Sequence, residues 1–438
     1  MSDHLDQFLR HYGQRHEHTH GPLGRHVEKV LNQFLECGDP NCGLTLFRCP
    51  ECRQCMAVPF SCKTRICPSC MSRKGEELAE TLEPVLPPVP YRHVVVTFPI
   101  RMGIRHRIRH NPGLLRRLTR LAMGVLTRDL RQHIHAHRSR REAIAKARPG
   151  AVVAWQTFGD RLNFHPHLHI LITDGVFLED GDFYGHLEWD SDRLTEKLRE
   201  SVLASFTRLG LLSPESAQEM ASWPVARSGF RVHVETIIGA EDRERLQTIL
   251  RYLTRPPIEL KRLHYRESTG EVRYRTHKGA ELHWLHPVDF LADVAQHIPP
   301  PHRQTVSYHG HFANALGRLE GRNPAVPAPT GANCPRRAAW ARLVLRVWRL
   351  DPELCPKCGA RMTRSRAIME RCELTRLLRS LSLGAHPIRP PPVPVPEGPP
   401  ITYGAVGRRR QPEQTPRPVA DDSDSQIPPD WEDWAGAA

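Results

Sequence analysis

The most informative chemistry in this chain lies in Asn163-Phe164-His165-Pro166-His167-Leu168-His169-Ile170-Leu171-Ile172. Side chains alternate faces along a β-strand, so His167 and His169 project together while Leu168 enters the core. Two imidazoles on one face of a buried strand supply half of a divalent-metal site. His165 would share that face, although Pro166 places it just ahead of strand pairing. With 26 histidines in the chain, a His-x-His pattern means little alone, and three neighbours give it weight. Gln156, on the preceding strand of an expected hairpin, offers a third, neutral ligand to the same ion. Tyr252 lies late on an expected helix, in Arg251-Tyr252-Leu253-Thr254-Arg255. A basic helix further upstream brings positive charge suited to a nucleic-acid backbone.

Together these groups suit metal-assisted phosphoryl transfer with a tyrosine nucleophile. A phosphodiester resists attack because its oxygens repel an incoming anion. An ion such as Mg2+ or Mn2+, held by His167, His169 and Gln156, would polarise one of those oxygens. A free phenol has a pKa near ~10, so Tyr252 needs the ion and the Arg255 guanidinium to favour phenolate. A phosphotyrosine product stores the energy of the cleaved bond, and a DNA 3′-hydroxyl can then reverse the step. The sequence shows no Gly-rich phosphate loop of the ATPase type. Tyr308, in Val306-Ser307-Tyr308-His309-Gly310, is the rival nucleophile, set in what reads as a strand or turn. Tyr265 and Tyr274, in a charged hairpin-like stretch, rank below it. His93 reads as structural, ahead of a role as ligand or DNA contact.

A second chemistry lies in the cysteines. Cys49-Pro50-Glu51-Cys52 and Cys67-Pro68-Ser69-Cys70 are separated by fourteen residues. Each Cys-x-x-Cys turn points two sulfurs at one ion, and two such turns complete a tetrahedral Zn2+ site. Zinc is redox-inert and soft enough for thiolate, and it holds together small domains whose cores are too thin to fold alone. Cys37, Cys42, Cys55 and Cys62 are surplus, with Cys62 the best substitute ligand. Cys355 and Cys358 form a later pair with no obvious second turn; Cys334 and Cys372 are weak candidates to complete it.

These groups must be positioned by a chain of 438 residues that carries 62 Lys+Arg against 48 Asp+Glu, a net +14. Such a balance excludes an acidic solvating chain and favours a polyanionic partner, nucleic acid being the commonest. No apolar run approaches the ~18 residues of a membrane span, and the opening MSDHLDQFLRHYG lacks the basic-then-apolar layout of a signal peptide. The expected setting is a reducing cytoplasm, where twelve cysteines are metal ligands or thiols rather than disulfides.

Four regions separate by composition. Residues 1–85 hold eight of the cysteines, an amphipathic helix with Leu23, Val27, Leu31, Phe34 and Leu35 on one face, and a short helix from Ser72 to near Pro84. Residues 91–325 read as mixed α and β. Strands are expected at 93–98, 151–158, 167–172 and 230–238, with a helix over 241–253 that stops before Pro256-Pro257. Between 101 and 148 there are fourteen Lys/Arg against Asp129 and Glu142. Leu114, Leu115, Leu118, Leu121 and Val125 have helical spacing there, and Arg116, Arg117 and Arg120 are the DNA-contact candidates. Residues 326–384 contain a helix over 338–350 and the Cys355/Cys358 pair. Residues 385–438, with eight prolines between Pro387 and Pro400, read as a disordered tail.

The residues now in view resemble a known family. Phe60-Ser61-Cys62-Lys63 with Cys67-Pro68-Ser69-Cys70 is similar to the N-terminal zinc domain of transposases of the insertion-sequence ninety-one family. Arg92-His93-Val94-Val95-Val96-Thr97-Phe98-Pro99, the His167-Leu168-His169 triplet, Arg251-Tyr252 with Arg255-Pro256-Pro257, and Tyr308-His309-Gly310 follow in that family's order. The resemblance covers roughly residues 25 to 365. It implies an α+β fold: an antiparallel sheet with flanking helices of the histidine–hydrophobe–histidine (HUH) endonuclease kind, preceded by a small zinc-ribbon-like domain. It also implies a bacterial enzyme, nucleoid-associated when bound, that nicks and rejoins single-stranded or hairpin DNA at the ends of a mobile element, through a 5′-phosphotyrosine and compatible with a homo-oligomer. Some members carry a second tyrosine four residues on; here that position is Pro256, so the chain resembles the single-tyrosine branch. The alternatives are a plasmid rolling-circle replication initiator or relaxase, which would share the chemistry but read other DNA, and a non-catalytic zinc-containing DNA-binding protein.

Overall fold

The computed structural model describes residues 2–99, 103–111, 113–134, 141–185, 188–276, 281–284, 286–315 and 335–381. Cys334 and the expected tail over 385–438 lie outside the described residues.

At the centre is a five-stranded sheet whose neighbouring strands are all antiparallel. Its order is Val306–Gly310, Gly150–Phe158, Phe164–Thr173, Tyr91–Thr97, Arg231–Ile238. The four strands expected from the sequence are all in it, Tyr308 lies on the fifth, and the fold is mixed α+β. The histidine strand, Phe164–Thr173, is buried along nearly its whole length, because helices cover both faces. The basic helix, Gly113–His133, and Ser191–Arg208 pack on Val94, Val96, Val153, Leu168, Ile170 and Ile172. Full burial of a Leu, Ile or Val side chain stabilises by roughly 1.5–3 kcal/mol, so this face anchors the strands. On the other face Pro68–Leu82 and the tyrosine helix, Arg243–Tyr252, pack on Tyr91, Val152, Ala154 and Leu171.

Strand alternation assigns the chemistry to that second face. Gln156 stands opposite His167, and His169 lies between Ala154 and Val95. The register shifts between Gln156 and Phe158, and Pro166 falls in that irregularity, where a ladder can spare the N–H that proline lacks. The strand therefore starts at Phe164, earlier than Pro166 suggests, and His165 is part of it.

A second, three-stranded sheet has the order Thr363–Ile368, Leu44–Arg48, Cys55–Pro59. The sequence divides 1–85, 91–325 and 326–384, but the packing does not follow those boundaries. Thr363–Ile368 pairs with Leu44–Arg48 from the far end of the chain. The N-terminal helices Ser2–Arg15 and Arg25–Leu35 bury Leu5, Phe8, Val27 and Leu31 against Val272, Tyr274, Phe290 and Leu291. The described residues fall within one compact unit, Met1–Gly398. Among them no helix is long and apolar enough to cross a membrane.

Candidate functional site

His167 and His169 meet on the covered face of the sheet. The Nδ1–H of His167 donates to the carbonyl of His165 at 2.7 Å, which leaves its Nε2 as a bare lone pair. That Nε2 lies 3.0 Å from His169 Nε2. Behind it, His169 Nδ1 meets His93 Nε2 at 3.0 Å, so His93, on the neighbouring strand, orients the His169 ring. Burial pulls the pKa of His93 and His167 down to about 4 and that of His165 down to about 3. The same desolvation holds His169 well below the ordinary imidazole range. All four rings are therefore neutral at pH 7, the form that ligates a metal. Two converging nitrogens 3.0 Å apart match adjacent ligands of an octahedral ion with bonds of about 2.1 Å, and the donor set fits a divalent cation.

The tyrosine helix delivers Tyr252 to this pair. Asp242 caps its start by accepting from the Arg245 N–H, and Leu246, Ile249 and Leu250 are its buried stripe. The last helical residue is Tyr252, whose ring centroid is 5.1 Å from that of His169 and 5.9 Å from that of His93. Gln156 donates its Nε2–H to the Tyr252 carbonyl at 3.1 Å, so it ties the helix end to the strand facing His167 and keeps only its amide oxygen for an ion. The Arg255 guanidinium sits 5.8 Å from the Tyr252 ring centroid and 3.5 Å from Glu259. Pro256 lies beyond the helix end, where a second tyrosine would have no helical place. Tyr308 shares the sheet face but pairs with Val152, whose other partner is Leu171. That row is about 7 Å along the strand from His169.

The tyrosine helix is held from below by Pro68–Leu82. Arg251 pairs with Glu76 at 2.8 Å and Arg243 with Glu83 at 2.6 Å. Gly75 permits the close approach: a Cβ there would stand 2.9 Å from Thr254 Oγ1 and 3.2 Å from the Arg251 carbonyl.

The sequence reading missed one cation. Arg105 is 9% exposed and donates its Nε–H to the Phe98 carbonyl. Burial lowers its pKa to about 10, and its charge disfavours protonation of His165 and His167. Among the described residues no carboxylate pairs with it, and its Nη1 has no hydrogen-bond partner. A buried guanidinium without a counter-ion beside two histidines was the available signal, and it exists only in three dimensions. The expected DNA-contact arginines lie elsewhere. Arg116 and Arg120 are exposed on the basic helix, and Arg117 donates to Ser205. That helix covers the sheet face opposite the histidines, so it does not line the pocket.

The cysteines correct the expected zinc set. Cys49, Cys52, Cys67 and Cys70 do not share a site; among the described residues two separate clusters form, Cys37/Cys62/Cys67/Cys70 and Cys49/Cys52/Cys355/Cys358. The cause is a hairpin. Cys49 and Cys52 sit at its tip, between Leu44–Arg48 and Cys55–Pro59, and Leu44 pairs with Pro59 at the other end. A five-residue strand spans roughly 17 Å, so Cys62 and the Cys67 turn emerge at the end where Cys37 enters. In the first cluster Cys37–Cys70, Cys62–Cys70 and Cys67–Cys37 sulfurs are 3.7, 3.5 and 3.6 Å apart. Backbone N–H groups of Cys62 and Lys63 point at Cys37 and Cys70 sulfurs. Sulfurs around a tetrahedral zinc with ~2.3 Å bonds are separated by about 3.8 Å, whereas a disulfide needs ~2.05 Å. Both clusters therefore fit zinc.

With this geometry in hand, residues 3–98 match a family model described as "Transposase zinc-binding domain", and residues 150–318 match one described as "Putative transposase". The chain is 28% identical to the transposase for insertion sequence element IS801 of Pseudomonas savastanoi pv. phaseolicola, over 78% of this chain and 83% of that protein. It is 27% identical to "Putative transposase y4qJ" of Sinorhizobium fredii, over 40% of this chain and 41% of that protein. No solved structure matches it significantly. The class defined here is a transposase with a zinc-binding N-terminal module. Within that class the chain is similar to transposases of the IS91 and IS801 type.

Proposed function

We propose that this transposase is an HUH-type endonuclease that nicks and rejoins single-stranded or hairpin DNA at its element's ends through a 5′-phosphotyrosine at Tyr252. The observation that carries the reading is the Tyr252 ring 5.1 Å from the His169 ring, on the face where two neutral imidazoles converge. His167 and His169, with the amide oxygen of Gln156, would hold Mg2+ or Mn2+. The bound ion would polarise a phosphoryl oxygen. His93 and the His165 carbonyl fix the two rings so that each can turn its Nε2 to the ion. The Tyr252 oxygen attacks the scissile phosphorus, the bond to the 3′ oxygen breaks, and that oxygen leaves as a 3′-hydroxyl after taking a proton. The tyrosine then carries the 5′ phosphate, and attack by a DNA 3′-hydroxyl reverses the exchange. Arg105 and Arg255 supply positive charge for the phosphate. The similarity to transposases favours transposition over plasmid replication as the setting for this chemistry.

The test is incubation of the full chain with Mn2+ or Mg2+ and a labelled single-stranded element end, followed by denaturing electrophoresis. A covalent protein–DNA adduct is expected, and Tyr252→Phe should abolish it while Tyr308→Phe retains it. The reverse pattern would transfer the nucleophile to Tyr308 and overturn the assignment.

A further inference from the structure

The second sulfur cluster joins parts of the chain that lie far apart. Cys49 faces Cys358 at 3.5 Å, and Cys52 faces both Cys355 and Cys358 at 3.5 Å. Cys52 and Cys355 are 303 residues apart in sequence. The two turns share one design. Cys49 N–H donates to the Gln54 carbonyl at 2.8 Å, and Arg53 N–H donates back to the Cys49 carbonyl at 3.1 Å. Cys355 N–H donates to the Ala360 carbonyl at 2.9 Å, and Gly359 N–H donates back to the Cys355 carbonyl at 2.9 Å. In each turn the fifth residue has a left-handed backbone, φ 61° at Arg53 and 71° at Gly359. Each turn also carries proline second, Pro50 and Pro356. Left-handed φ is costly for arginine and easy for glycine. Its presence in both marks them as the same kind of Cys-x-x-Cys turn.

We propose that Cys49, Cys52, Cys355 and Cys358 form a second zinc-thiolate centre, a clasp that binds the C-terminal arm to the N-terminal module. Cys355 and Cys358 lie outside both spans matched by the family models, 3–98 and 150–318. The sulfur separations fit a tetrahedral zinc, and two facing turns supply four ligands. The chain around the clasp has little other core: Phe47, Val58 and Met362 with the cysteines, and partly buried Met56, Leu350 and Ala360. The clasp fixes the start of Thr363–Ile368 as a third strand on Leu44–Arg48. It also anchors the helix Pro335–Trp348, whose Arg346 reaches Glu80 at 2.9 Å and Glu76 at 3.6 Å. Glu76 is also the partner of Arg251, next to Tyr252. The clasp therefore secures an arm that ends against the support of the tyrosine helix.

Metal analysis of the purified full chain should find two zinc ions, and the double variant Cys355→Ser/Cys358→Ser should retain one. Brief trypsin treatment of that variant should cut newly at Arg53, Arg361 or Arg364 while sparing Lys63 and Arg65 beside the other cluster. A double variant with the full zinc complement and the wild-type cleavage pattern would overturn the proposal. If the variant does not fold, cobalt(II) replaces zinc in the wild-type chain. Thiolate-to-cobalt absorption should then grow to two equivalents, and saturation at one would refute the clasp. These readouts are independent of nicking, so they stand or fall apart from the histidine pocket.

Discussion

The imidazole pocket and the cysteine-rich module both gather groups suited to a metal, yet they are built in opposite ways. In the pocket every ring is placed by a strand that is buried on both faces, and His165 and His93 already hold His167 and His169 in place. Its walls would stand without an ion. The three-stranded module has Leu44, Ala57, Ile368, Leu374 and Leu378 on one side and a few apolar groups around cysteines on the other. A core that thin cannot repay the chain entropy of folding without a cross-link. Under the proposed function a metal would be a reagent in the pocket, whereas in the module it would be part of the frame.

That contrast can be broken by experiment, beginning with the largest effect. Cys37→Ser with Cys67→Ser should remove one zinc and unfold the segment around it, since structural zinc contributes about 10 kcal/mol or more to small metal-dependent folds. Metal content and trypsin access to residues 37–70 are the measurements, and a variant that keeps its zinc and its resistance would place these sulfurs outside the frame. His167→Ala with His169→Ala should reduce adduct formation by at least about a thousandfold, the loss of several kcal/mol of electrostatic assistance. Its fold should persist, with the urea midpoint lowered only by the cavity and the unpaired His93 nitrogen left behind. If the protein unfolds instead, the pocket belongs with the module. Arg105→Gln should lower adduct formation by about a hundredfold and leave stability equal or higher, because it removes a buried charge that no carboxylate among the described residues balances. Unchanged adduct yield would make Arg105 a structural residue.

The same contrast explains what could be read from the amino-acid order. The histidine strand, its two neighbours, the strand Arg231–Ile238 and the tyrosine helix announce themselves by period and by β-branched runs. Alternation alone then puts His167, His169 and Gln156 on one face. The helix at Tyr252 was equally legible because Pro256-Pro257 stops it. The cysteine partners were not, since spacing reports a turn but not which turn it meets. Recognising that residues 44–48 and 55–59 form a hairpin would have separated Cys49 from Cys67; nothing local links Cys52 to Cys355. Arg105 and the position of the basic helix on the opposite face depend in the same way on packing between distant segments.

The facing turns at Cys52 and Cys355, with sulfurs 3.5 Å apart and 303 residues between them, set a timetable. A ribosome adding roughly 5–20 residues per second needs on the order of fifteen seconds to a minute to travel from one to the other. Throughout that interval the earlier pair of thiols is exposed without its mate, open to any passing thiophilic ion or oxidant. The proposed clasp therefore depends on the newborn polypeptide keeping two reduced sulfurs in waiting until some 303 further residues have been added.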